Sequence, residues 1–216
     1  MTGTFVINGL AGLLVITSLL VICVRKPTSS AVYYALQSLV LVLIFLAMAQ
    51  LKGAHELNVW AVTAFLTKVI LVPVVMYRSL GHLKDPAADT PLINTALTVT
   101  ASAVIIALSY TVVSHIRLSA VVELKPALGI SLAHFFLGLL CIVTQRNILK
   151  QIFGYCLMEN GSHLTLAILA SNVPEIVEVG IATDAIFTVM VMVVIARGIH
   201  HTLNTLDVRK LTALKG

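Results

Sequence analysis

Apolar runs close to twenty residues recur seven times along this chain, and few folds can accommodate that. They fall at about 4–24, 31–51, 58–79, 93–114, 127–144, 148–170 and 178–199. Each covers 18 to 23 residues, roughly 27–35 Å as helix, which is the thickness of a bilayer's hydrocarbon core. The runs are continuous and do not alternate with polar residues, so they predict helices and not barrel strands. Composition agrees. The chain is 59% hydrophobic and 11% charged, against about 25% charged for a typical soluble protein, and its mean hydropathy is +1.03. The predicted fold is an all-α, polytopic membrane helical bundle of about seven transmembrane helices.

Punctuation supports the boundaries. Pro27, Pro86, Pro91, Pro126 and Pro174 fall in or beside the proposed loops, where proline is tolerated. The connections are short, so no soluble domain is expected between spans. The first run, Phe5 to Val24, has no basic residue before it and the Arg25-Lys26 pair after it, so it reads as a retained span and not a signal peptide.

Lys and Arg set an orientation. One side collects Arg25, Lys26, Arg78, Lys84, Arg146, Lys150, Arg197, Arg209, Lys210 and Lys215, the other Lys52, Arg117 and Lys125. Basic loops stay in the cytoplasm, so the N-terminus is expected outside and the C-terminus in the cytoplasm. The net charge of +5 follows from this topology and calls for no nucleic acid. The tail "RGIHHTLNTLDVRKLTALKG" reads either as solvated or as lying on anionic headgroups.

A weak internal repeat divides the chain into residues 1–92, a three-helix unit, 93–126, a linking fourth helix, and 127–216, a second three-helix unit with a cytoplasmic tail. Aligning Arg25 with Arg146 puts Tyr34 on Tyr155. The fourth helix would return the chain outside, giving both units one orientation, a parallel repeat.

Ionisable residues inside the spans carry the candidate chemistry. They are Lys68, His134, Glu159, His163 and Asp184. An acid or lysine at a helix centre costs about 2.5–3.5 kcal/mol on insertion scales, so such residues face other helices or water and mark ion or proton paths. Glu159 stands mid-span, with His163 four residues on along the same face. Chain direction puts His163 and Asp184 at similar depths, which suggests a relay of Asp184, His163 and Glu159 through water. A static Glu–His hydrogen bond is the plainer alternative. Lys68 precedes Pro73 by five residues, beside an expected kink; it serves either a proton path or an ion pair. His134 reads first as a packing histidine. Cys23, Cys141 and Cys156 lie in apolar runs without C-x-x-C spacing, which argues against a zinc or iron–sulfur site. Walker, dinucleotide and H-E-x-x-H patterns are absent from the sequence, and the adjacent His200-His201 pair is poor metal-site spacing.

From Arg146 the segment "RNILKQIFGYCLMENG" resembles the small K-type subunit of respiratory complex I, related to the C-type subunit of multisubunit cation/proton antiporters. The likeness spans about residues 127–207, with Arg146, Asn147, Gly154, Met158 and Asn160 in register. The whole chain resembles the hydrogenase-4 component E family. That resemblance implies a non-catalytic subunit of a formate hydrogenlyase-type [NiFe]-hydrogenase in a bacterial inner membrane. It implies contributing to proton transfer beside antiporter-like and quinone-site-like subunits and a peripheral arm. The nickel–iron centre and iron–sulfur clusters would belong to those partners, with no cofactor and no catalytic centre in this chain. A purely structural or assembly subunit, and an antiporter subunit, are the alternatives. The family's middle-helix glutamate falls on Cys156 and its second acid on Asp184, so Glu159 stands one turn from the family position.

Overall fold

The computed structural model describes residues 2–83, 85–116, 119–171 and 174–213. Seven long helical rods make up the bundle. They are α1 (Thr2–Cys23), α2 (Pro27–Lys52), a rod formed by α3 (Glu56–Ala64) and α4 (Val72–His82), α5 (Thr95–His115), α6 (Lys125–Thr144), α7 (Ile148–Leu169) and α8 (Glu175–Leu203). Six are long and apolar enough to cross a membrane. The seventh, α7, is 22 residues long and lies in their midst, its apolarity diluted by Glu159, Asn160 and His163. The polytopic helical bundle expected from the runs is what the chain forms. Lys84, Arg117 and Lys215, part of the charge pattern, lie outside the described residues.

Local chemistry explains the ends. Pro27 opens α2, and Gly53 closes it at φ 64°, a left-handed conformation that costs glycine nothing. Side chains cap α5 and α7: Asn94 Oδ1 accepts from the Leu97 amide, 2.8 Å, and Asn147 Oδ1 from the Leu149 amide, 2.9 Å. Between α3 and α4 the rod runs as π-helix over Phe65–Leu71. Pro73 has no amide hydrogen, and the Val72 amide instead reaches back to the Thr67 carbonyl. The expected kink is therefore a widened turn, and Lys68 sits inside it.

α7 is the hub, packed against α1, α2, α6 and α8. Its contact with α6 is close because three glycines permit it. A Cβ on Gly138 would lie 2.6 Å from the Gly154 carbonyl and against the Met158 amide, and one on Gly161 would lie 2.5 Å from the Phe135 amide. Small residues serve this purpose in membrane bundles, where van der Waals packing holds helices together. Across the bundle α1 packs on α6, α2 on α7, and the α3–α4 rod on α8, while α5 packs on α6 and α1.

The core is split by depth. One apolar cluster takes in Leu14, Val40, Ala64, Leu128 and Leu164. The other takes in Val21, Tyr34, Val72, Leu137 and Leu157. On five rods the residues between these levels are polar: Ser18, Gln37, Lys68, His134 and Asn160, all buried. A polar layer thus crosses the middle of an apolar bundle.

Lysine side chains tie the helix ends. The charge pattern counts Lys150 with Arg146 on one side, and the structure buries it in the first turn of α7, where Nζ donates to the Ile22 carbonyl at 3.0 Å and to that of Val24. It completes the free carbonyls at the C-terminus of α1. At the opposite end Lys52 Nζ donates to the Ile168 carbonyl, 2.9 Å.

The C-terminal segment is not a plain solvated tail. Thr205, Leu206 and Asp207 are buried, and a short antiparallel bridge joins Asp207 to Asn147. The Ile148 amide donates to the Leu206 carbonyl at 3.1 Å, and the Val208 amide to that of Arg146 at 3.0 Å. Asp85, in the loop before α5, accepts from the Thr205 hydroxyl at 2.7 Å and the Leu206 amide at 2.8 Å. Burial pushes the Asp85 carboxyl up, but these bonds and those from the Ala88 and Ala87 amides outweigh it and hold it below the usual range. The Arg209 guanidinium does the same for Asp207, chiefly by hydrogen bonding, against the opposing effect of burial.

Candidate functional site

The polar layer divides into two networks, both anchored on α7. Residues 159 and 163 lie one turn apart on one stripe of that helix, while residue 160 is rotated about 100° toward α2.

The first network is ionic. Lys68 Nζ lies 2.7 Å from Glu159 Oε1 and 3.2 Å from His163 Nδ1. His163 Nε2 lies 2.6 Å from Glu178 Oε2. Glu178 Oε1 is 2.6 Å from the Thr63 hydroxyl. Lys68, His163 and Glu178 are buried, and Glu159 is 13% exposed at its side chain. Phe45 and Trp60 close over the imidazole, with ring centroids 4.8 and 5.2 Å away. The widened turn of the α3–α4 rod carries Lys68, α7 carries Glu159 and His163, and the first turns of α8 carry Glu178.

Hydrogen positions follow from the donor inventory. An ammonium has donors only, so His163 Nδ1 accepts from Lys68 and Nε2 donates to the Glu178 carboxylate. The result is a continuous series, Glu159–Lys68–His163–Glu178, in which every link is a possible proton transfer.

The second network is neutral. Gln37 Nε2 donates to His134 Nε2, 3.0 Å, so the His134 hydrogen is on Nδ1 and goes to the Ser18 hydroxyl oxygen, 2.8 Å. Ser18 donates onward to the Leu14 carbonyl, 2.6 Å. Asn160 Nδ2 donates to Gln37 Oε1 at 2.8 Å and to the Ser38 hydroxyl at 3.3 Å. His134 is thus fully buried with both ring nitrogens engaged by uncharged groups.

Of the residues that sequence pattern singles out, the structure brings together Lys68, Glu159 and His163. It places His134 in the separate neutral network. Asp184 is exposed on α8; its hydrogen bond is from the Thr188 hydroxyl, 3.4 Å. It borders the groove that Glu159 and His163 also line. Chain direction puts Asp184 at the depth of His163; the carboxylate hydrogen-bonded to His163 is Glu178. Glu178 and Thr63 carry no weight in a reading by span centres, since Glu178 stands at the edge of its apolar run. Pro174 followed by Glu175 is the available signal, because proline and an acid mark a helix start and so set Glu178 a turn inside it.

Cys156 is buried in the apolar cluster with Tyr34 and Phe153. The three cysteines are free, and among the described residues no group of three or more His, Cys, Asp or Glu is arranged to hold a metal ion.

Known proteins match the chain along its whole length. Residues 126–216 match the family of NADH-ubiquinone/plastoquinone oxidoreductase chain 4L. Hydrogenase-4 component E of Escherichia coli strain K12 is 53% identical over 216 residues, covering 100% of both chains, and that of Shigella flexneri matches to the same extent. An uncharacterized protein of Mycobacterium tuberculosis is 26% identical over 213 residues, 95% of this chain and 94% of its own length. No solved structure matches.

Proposed function

The chain belongs to the hydrogenase-4 component E family, membrane subunits with a complex I-like C-terminal region, and from that premise we propose that it moves protons inside the membrane part of a [NiFe]-hydrogenase complex of formate hydrogenlyase type. The observation that carries this reading is the continuous series Glu159–Lys68–His163–Glu178 within the bilayer-spanning layer.

One transfer is balanced as follows. Lys68 gives a proton to His163 Nδ1 while the hydrogen on Nε2 passes to Glu178. Lys68 is left neutral, His163 has changed tautomer, and Glu178 is a carboxylic acid. Glu159, loaded from outside the series, then returns a proton to Lys68. Thr63 suits both states of Glu178: its hydroxyl can donate to the carboxylate, or accept from the acid while donating to the Val59 or Trp60 carbonyl, 3.0 and 3.1 Å away. Histidine can pass a proton in at one nitrogen and out at the other.

Nickel–iron and iron–sulfur centres belong, in this reading, to partner subunits. The partners are antiporter-like and quinone-site-like membrane subunits and a peripheral arm in a bacterial inner membrane. Arg25, Lys26, Arg78, Arg146 and Arg209 at one end support a cytoplasmic C-terminus. The pairing of α1 with α6, α2 with α7 and the α3–α4 rod with α8 supports two like-oriented three-helix units, 1–92 and 127–216, joined by 93–126.

The test is proton movement per hydrogen formed by the assembled complex in sealed vesicles, for the His163→Phe variant. Hydrogen formation should persist while proton movement falls at least about a hundredfold, the lower end for losing a positioned acid–base group. Normal proton movement would leave the purely structural subunit as the correct reading.

A further inference from the structure

The ionic series is closed by protein on the sides facing α2 and the α3–α4 rod, but it opens sideways between α7 and α8. There a groove of about 310 Å³ is lined by Tyr155, Glu159, Ser162, Leu166, Ile181 and Asp184 among others. Two carboxylates therefore line it, at Glu159 and Asp184. Among the described residues the charges around this groove and the series behind it do not balance: three carboxylates, Glu159, Glu178 and Asp184, stand against one ammonium, Lys68, and one imidazole, His163. Lys68 is already committed to Glu159 and His163, so among the described residues no cation pairs with Asp184. It projects from the outer face of α8, the tenth residue along a helix long and apolar enough to cross the membrane, where an uncompensated carboxylate is costly.

The surface around it has the form of a helix seat. Gly180, Asp184, Phe187 and Val191 recur at four- and three-residue spacing along one stripe of α8. A Cβ built on Gly180 meets nothing within 4 Å, so the stripe has a recess next to the carboxylate. Phe187 beyond it is 68% exposed. Glycine recesses allow close helix approach in membranes, and polar side chains there bond across helices.

We infer that this stripe of α8, with the groove beside it, seats a transmembrane helix of a partner subunit that presents a lysine, arginine or histidine side chain to Asp184. Charge complementarity selects that occupant over a second copy of this chain, whose matching stripe would bring carboxylate against carboxylate. The inference rests on the chain acting within a membrane complex and does not require that protons move.

A photoreactive phenylalanine analogue in place of Phe187, and separately of Met190 on the neighbouring exposed face, tests it in intact membranes containing the full complex. The expected product is a crosslink to one membrane subunit, mapped by mass spectrometry to a transmembrane segment with a basic residue within one helical turn. The second measurement is a charge swap. Asp184→Lys should lower recovery of that subunit with the tagged chain at least about tenfold, and changing the partner's basic residue to Asp should restore it. Crosslinks to lipid alone, to a second copy, or to a segment without a basic residue would overturn the inference, as would no crosslink from either position. Normal crosslinking with no proton movement would sink the proton reading and leave this one standing.

Discussion

Glu159 and Asn160 are neighbours in sequence, yet they head networks of opposite character. On the Glu159 side the links join groups that can each hold or give up a charge: carboxylate, ammonium, imidazole, carboxylate. On the Asn160 side one imidazole is held between an amide and a hydroxyl, and no group next to it can take its charge. A single residue's rotation about α7 separates a series able to pass protons from a set of bonds able only to hold helices in place. Mere burial of histidine is therefore uninformative; the neighbours decide what it does.

Removing the ammonium should break the ionic side most severely. Lys68→Met leaves Glu159 without its partner, and losing one member of a buried pair costs about 3–5 kcal/mol. Thermal unfolding of the purified complex should show a lowered transition and poor recovery. Adding Glu159→Gln removes the orphaned charge, so the double variant should regain most of the stability without regaining proton movement. If proton movement returned with stability, the ionic side would be as structural as the neutral one.

The two histidines give the next contrast. His163→Phe should abolish proton movement while the complex assembles. His134→Phe leaves the Gln37 amide nitrogen without its acceptor and the Ser18 oxygen without its donor, costing about 1–3 kcal/mol, and should keep proton movement within about twofold in whatever complex is recovered, since no ionisable neighbour adjoins it. Equal loss of proton movement in both would erase the distinction drawn between the networks.

How far these networks could be read from sequence follows the kind of physics involved. Apolar runs with proline at their ends located all seven rods, because burial in lipid acts on composition and length. The pairing of Glu159 with His163 on one face was also legible, since i and i+4 meet on any helix. The partner of Lys68 was not. It depends on how the α3–α4 rod is rotated against α7, and the π-helical turn at Phe65–Leu71 shifts that rotation in a way that Pro73 alone does not specify. The partners of Lys150 were hidden for a similar reason: only the packing of α7 on α1 brings the open carbonyls of Ile22 and Val24 to its ammonium. Asp184 and Glu178 are separated by six residues, nearly two turns. Only the packing of α8 on α3, through Thr63, tells which of the two points inward.

Glu178→Gln sharpens the ionic end without unbalancing its shape. Glutamine can still accept from His163 Nε2 but cannot take up the proton, so proton movement should fall by about tenfold or more with recovery of the complex unchanged. Glu178→Asp, which keeps the carboxyl group on a shorter stem, should retain part of it. Loss of assembly in the glutamine variant alone would instead make Glu178 an anchor between α8 and α7.

Thr63 should give the smallest effect and the finest discrimination. Among the described residues its hydroxyl bonds to the terminal carboxylate, at 2.6 Å, and to two carbonyls of its own helix. Valine matches its shape but neither donates nor accepts. Thr63→Val should therefore slow proton movement by about two- to fivefold, the range of a single modest hydrogen bond of roughly 0.5–1 kcal/mol, and Thr63→Ser should restore the rate. A merely packing role predicts the reverse order: valine, which keeps both branches, would be silent, and serine, which loses a methyl group, would be the variant that suffers. The order of those two rates therefore decides whether the ionic series ends at Glu178 or includes the hydroxyl behind it.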